Sequence, residues 1–205
     1  PPNAEIYING EFRDKTAFLT NSLFIENLLP KTYQVEVKKE GYRSWEKNLT
    51  VEERKVTDAK NIILITQEPD FTLFSTSTQE INLTVAGITA SATSSDKEKI
   101  IEATDYEIWV FFPNKQTEKP SIEQKERIFL TRFSEKIGKI FWFNDYYLIF
   151  NLSDKIKVVE IDDRDRINMV DIAEFENPEI FWSQKDKKLY VLSEGKLYVA
   201  TNLLP

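Results

Sequence analysis

The 205 residues carry 27 Lys and Arg against 34 Asp and Glu, a net charge of −7. The two signs are interspersed and form no basic stripe of the kind that grips a phosphate backbone, so no nucleic-acid partner is expected. Cys and His are both absent, which excludes disulfides, thiolate metal sites, Cys nucleophiles and every mechanism that needs an imidazole base.

Carboxylate or Lys chemistry is what remains. The expectation is a chain that is not an enzyme, with no catalytic residue, no cofactor and no metal site. Aromatics are abundant, with 14 Phe, 8 Tyr and 4 Trp, as a globular core requires. No apolar run reaches the length of a membrane span and no signal peptide is visible. The chain opens on Pro1 rather than Met, so it reads as a processed or excised piece whose signal or membrane anchor lies outside it.

From the start, Glu5-Ile6-Tyr7-Ile8-Asn9 alternates polar and apolar like a half-buried strand. Asn9-Gly10 then tolerates positive φ at both positions and marks a tight hairpin turn. Over residues 32–38, Tyr33, Val35 and Val37 share one face, and Lys39-Glu40-Gly41 ends the strand. Tyr42 and Trp45 are expected as lids at the rim of the core. Leu49 and Val51 alternate again. Residues 61–66, NIILIT, read as a strand covered on both sides.

This first part resembles a PEGA domain. The resemblance rests on six elements in order: Pro1-Pro2-Asn3-Ala4, Ile6-Tyr7-Ile8-Asn9-Gly10, Lys15-Thr16, Leu28-Leu29-Pro30, Tyr33-Gln34-Val35-Glu36-Val37 and Glu40-Gly41-Tyr42. Asp14 and Ala17 stand where the family usually has Gly and Pro, Lys31 replaces the Gly of its Pro-Gly turn, and residues 21–24 look like an insertion. The resemblance implies a small antiparallel β-sandwich of the kind found in prokaryotic envelope and surface proteins. It implies no shared active site.

Glu68-Pro69-Asp70 is the domain boundary, giving residues 1–68 as the sandwich and 69–205 as a second region. Residues 71–74 are expected to pair with 80–85, and the Ser-, Thr- and Ala-rich residues 87–96 to form a loop. Three strand–turn–strand units follow in one register, with Ile100/Ile108, Leu148/Ile156 and Leu189/Leu197 each eight residues apart. Ile140-Phe141-Trp142 and Ile180-Phe181-Trp182 lead into the second and third. Residues 128–133 and 168–172 are placed to be outer strands, and 115–127 to be a long loop. Trp182-Ser183-Gln184-Lys185-Asp186-Lys187-Lys188-Leu189 is similar to the Trp-Ser-Pro-Asp-Gly-Lys-Lys-Leu signature of TolB-like and WD40-like propeller blades, and Trp142 and Trp182 stand 40 residues apart, within one blade repeat. About three blades are legible, fewer than closure needs. The expectations are a fragment of a longer propeller, an oligomer closing between chains, or an open repeat edge that self-associates.

The remaining constellations read as structure. Asp162-Asp163-Arg164-Asp165-Arg166 lacks the alternation and the Gly of a Ca²⁺ loop and is expected to be a solvated turn. The Lys185–Lys188 run reads as a solvated loop, and Trp109, Trp142 and Trp182 as core. No Gly-x-Ser-x-Gly occurs. Asn48, Asn82 and Asn151 open glycosylation sequons that carry no argument alone. The sequence therefore predicts an all-β, non-catalytic, extracytoplasmic envelope or surface protein, with other envelope proteins or cell-wall glycan as partners. The alternatives are a carbohydrate-binding module using Trp and Tyr, or a carboxylate-dependent glycan hydrolase fragment.

Overall fold

A computed structural model describes residues 1–76, 91–113, 127–200 and 202–204. They form sixteen strands and no helix, in four antiparallel sheets of four strands each. Two compact units emerge: Pro1–Pro69 with Arg164–Asn168 and the chain end from Asn202, and Asp70–Asp163 with Met169–Thr201.

The first unit holds β1 (Glu5–Ile8), β2 (Glu11–Lys15), β3 (Thr32–Lys38) and β4 (Trp45–Thr50) in the order β2-β1-β3-β4. Asn9 and Gly10 adopt φ of 51° and 79° at the predicted turn, where Gly has no Cβ to resist the left-handed region. Cross-strand pairs Ile6↔Val37, Val37↔Trp45, Val35↔Lys47 and Tyr33↔Leu49 place those side chains on one face. Ala4, Ile6, Val37, Trp45, Leu49 and Leu64 form its core.

Two expectations change here. Trp45 is no lid: it lies within β4, 4% exposed, because its register opposite Val37 turns it onto the apolar face. Residues 61–66 form no strand, although Leu64 and Ile65 are buried. They run beside the short connection at residues 41–43, held by Arg43 N–H to Ile65 C=O at 2.8 Å, Gln67 N–H to Gly41 C=O at 2.9 Å and one isolated bridge, Tyr42↔Thr66. A connection that short offers no ladder. The layer over the apolar face is thus irregular chain.

In the second unit, β5 (Phe71–Ser75) is followed by β6 (Ser91–Thr93), β7 (Ile100–Ala103), β8 (Glu107–Phe111) and β9 (Arg127–Arg132), of which β6 to β9 make one sheet in sequence order. The next sheet is β10 (Ile137–Asn144), β11 (Tyr147–Leu152), β12 (Lys155–Glu160) and β13 (Met169–Glu174). The last runs β14 (Glu179–Ser183), β15 (Lys188–Ser193), β16 (Lys196–Ala200) and then back to β5. The first two are blade-like meanders, and the third is a three-strand meander completed by β5. The three hairpins and both outer strands stand where the sequence places them.

The final hairpin, expected to end with an open edge, is covered by β5 through Phe71↔Ala200, Thr72↔Val199 and Leu73↔Tyr198. Residues 71–74 therefore pair across the whole unit, a long-range choice that local turn signals do not reveal. Their expected partner at 80–85 lies outside the described residues, as does most of the 115–127 loop. Within 87–96, Ser91–Thr93 is strand rather than loop, because Ala92 pairs with Ile101.

All six residues of β11 are buried, because its sheet is packed on both faces. Toward β6 to β9, Trp142 Nε1–H donates to Ala92 C=O at 3.0 Å and Phe150 meets Phe133 at 5.4 Å between centroids. On the other face, Phe141 meets Phe181 at 6.0 Å and Phe143 meets Trp182 at 4.4 Å. Phe175 adds a tilted contact with Tyr198 at 5.2 Å between centroids.

Candidate interaction surface

Residues 17–31 contain seven large apolar side chains but no strand partner. Ala17 N–H donates to Ser22 C=O at 3.0 Å and Asn21 N–H to Ala17 C=O at 2.9 Å. That closes a tight turn with Phe18 and Leu19 at its tip, 70% and 88% exposed. Asn21 and Asn27 adopt φ of 54° and 60°, conformations Asn tolerates and which prevent a regular ladder. Phe24 and Leu29 are also about as exposed, at 70% and 71%, and Val56 from residues 51–61 reaches 70%.

Phe24 and Val56 line a cavity of about 780 Å³, with Ile6, Val35 and Leu49 of the sheet as floor and Leu23 completing the wall. Glu26, Lys55, Asp58 and Lys60 supply polar edges of both signs. An apolar concavity with a few polar groups suits ligand or peptide side chains, and each aliphatic or aromatic side chain fully buried there contributes about 1.5–3 kcal/mol.

The PEGA domain family model matches residues 1–63. No curated protein matches the chain. PEGA domains typically occur in extracellular or periplasmic proteins. Within the matched residues the elements quoted from the sequence fall in the order that the resemblance implies: the Asn9-Gly10 turn, then β3 and the Gly41 turn. Residues 21–24, one of the departures from the family pattern, line the cavity over the N-terminal sheet.

The other residues singled out have structural places. Trp45, Trp142 and Trp182 are each 4% exposed. Trp109 is half-buried, donates Nε1–H to Glu107 at 3.1 Å and carries the Arg127 guanidinium 4.2 Å from its ring centroid. Its ring face is therefore occupied by a cation–π partner, and none of the four Trp is a bare platform for a sugar. Asn151 is buried and hydrogen-bonded, so its sequon is inaccessible; Asn82 lies outside the described residues. Lys187 N–H donates to Ser183 C=O at 2.9 Å in a tight turn, and Asp186 accepts the Tyr190 hydroxyl at 2.8 Å. Among the described residues no group of three or more His, Cys, Asp or Glu is arranged to hold a metal.

The stretch after β12 is an exposed bend at residues 164–166, as expected, but it is also tied to β4. Asp165 Oδ2 accepts the Asn48 backbone N–H at 2.8 Å and its side-chain amide at 3.1 Å. Arg166 pairs with Glu46 at 3.0 Å, Asn168 donates to Glu46 C=O at 3.1 Å, and Arg164 donates to Asp58 C=O at 2.8 Å. These donors and acceptors cover the outer edge of β4. Lys47, on the apolar face and fully buried, is a second surprise; its Nζ sits 5.9 Å from the Trp45 ring centroid. No sequence signal distinguishes it from an exposed strand Lys, since its place depends on register opposite Val35.

Proposed function

We propose that this chain is a non-catalytic extracytoplasmic protein that binds an envelope protein partner through the apolar layer over its N-terminal sheet. The observation that carries the reading is the set Phe18, Leu19, Phe24, Leu29 and Val56, each at least 70% exposed. Singly exposed apolar residues are ordinary, but four within residues 18–29, with Phe24 and Val56 lining one apolar cavity, suggest a contact surface. The extracytoplasmic assignment is supported by the family matched at residues 1–63. The sheets of the second unit read as propeller-type blades of the TolB or WD40 kind, supported by their meander order and by the early strand β5 completing the last sheet.

An apolar contact set of Phe, Leu and Val, in which no Trp takes part, suits a protein partner better than cell-wall glycan, whose usual stacking platforms would be bare Trp rings. The test is localisation in the native cell. Protease added to cells with the envelope opened but the inner membrane intact should degrade the protein. Full protection, lost only on lysis, would overturn the reading.

A further inference from the structure

The Asp165–Asn168 stretch is in sequence a link between β12 and β13, yet it belongs to the first unit and sits on the outer edge of β4. Asp165 offers an acceptor to the Asn48 N–H, and Asn168 offers a donor to the Glu46 C=O. Those are the backbone groups that an added strand would engage, so two side chains here imitate a strand. Arg166 on Glu46 and Arg164 on the Asp58 carbonyl hold the stretch in place.

The two edges of this sheet differ in what they would do unguarded. An antiparallel pairing of β2 with β2 of a second copy, centred on its middle residue, sets Arg13 against Arg13. Like charges directly opposite are destabilising. The register of β2 is also interrupted by a bulge between Ile6 and Tyr7 of its partner strand. On β4, where the Asn48 N–H faces outward, an antiparallel pairing in the register centred on Asn48 sets Glu46 against Thr50 and Lys47 against Leu49 of the second copy. No like charges meet, and Trp45 and Leu49 continue the apolar face. The edge that would accept a copy of itself is the one that is covered.

We infer that residues 165–168 are an edge guard: they block antiparallel pairing of β4 with β4 of a second copy of this chain. The guard is made of a few side-chain hydrogen bonds, most of them exposed, rather than a ladder.

The experiment compares molar mass by light scattering for the full chain and the double variant Asp165→Ala/Asn168→Ala at high micromolar concentration. Circular dichroism confirms that both are folded. The variant should double in mass relative to the 24.0 kDa chain while the wild type does not. Adding Asn48→Pro to the variant should restore the wild-type mass, because Pro removes the outward N–H that the pairing needs and is tolerated on an edge. A folded double variant with the mass of wild type would overturn the inference, and so would a dimer that survives Asn48→Pro. Should the double variant fail to fold, Asp165→Ala alone is read by the same criteria.

Discussion

Asn151 occupies the space that a side chain at Gly138 would need. A Cβ there would fall 2.7 Å from Asn151 Cγ. The amide cannot swing aside freely, because its Oδ1 accepts Lys139 N–H at 2.7 Å and its Nδ2 donates to Pro178 C=O at 3.2 Å. The missing side chain on β10 and the amide on β11 therefore lock the middle sheet to the chain entering β14. Gly138→Ala should destabilise by about 1–3 kcal/mol through this overlap. Asn151→Ala should cost a similar amount by stranding two backbone groups. In a double-mutant cycle followed by urea unfolding, the two changes together should cost less than their sum.

Trp142 and Trp182 hold the same place in successive repeats but differ in one hydrogen bond. Trp142 Nε1–H reaches Ala92 C=O at 3.0 Å, whereas buried Trp182 Nε1–H has no acceptor among the described residues. Replacement by Phe removes similar volume at both sites. Trp142→Phe should therefore be the costlier change by about 1–2 kcal/mol, since it leaves the Ala92 carbonyl without its donor while Trp182→Phe relieves an unmade bond. Equal shifts in the urea midpoint would contradict this.

The strand β5 joins the last sheet far from its own sequence neighbours. Hydrogen exchange read by mass spectrometry should find residues 71–75 protected together with 196–200, and released together as denaturant rises. Disrupting β5 by Phe71→Ala, which removes the contact with Phe175 at 5.1 Å, should raise exchange in both stretches. Rapid exchange at 71–75 in the native protein would rule out the closure.

The Asp165 carboxyl is held below its usual value of 3.8, first by the Asn48 backbone N–H, against a smaller opposing effect of burial, with further help from the Arg166 N–H and the Asn48 amide. A depressed carboxyl stabilises the folded form above its ordinary pKa, and that contribution is lost as the pH falls through the folded pKa. The Asn48 amide resonance should therefore titrate below pH 3.8 in wild type. In Asp165→Asn the transition should be absent.

Much of this architecture is legible in the chain. The hairpins around Ser153 and Gly195 and the Asn9-Gly10 turn declare themselves because alternation and turn chemistry are local. The order of elements that the PEGA model matches over residues 1–63 is legible for the same reason. What escapes depends on distant partners. Phe71 alternates like any strand residue, and nothing local says that Ala200 is its neighbour. Residues 61–66 are apolar enough for a buried strand, but burial without a ladder leaves them irregular. Asp165 sits in a charged run indistinguishable from a solvated turn until Asn48 is placed opposite. The apolar surface was hidden similarly: Phe18, Leu19 and Phe24 count toward a core by composition, and only the tight turn at residues 17–22 sets them outside.

The most direct test is co-sedimentation with isolated envelope material from the native cell, comparing wild type with Phe18→Ser/Leu19→Ser. Both side chains are exposed, so the substitutions should leave stability within about 0.5 kcal/mol. The wild type should sediment with the envelope fraction, and the variant's apparent affinity should fall by about tenfold or more, as losing even one buried apolar side chain predicts. Equal retention of a folded variant would contradict the assignment of the binding surface to this apolar layer.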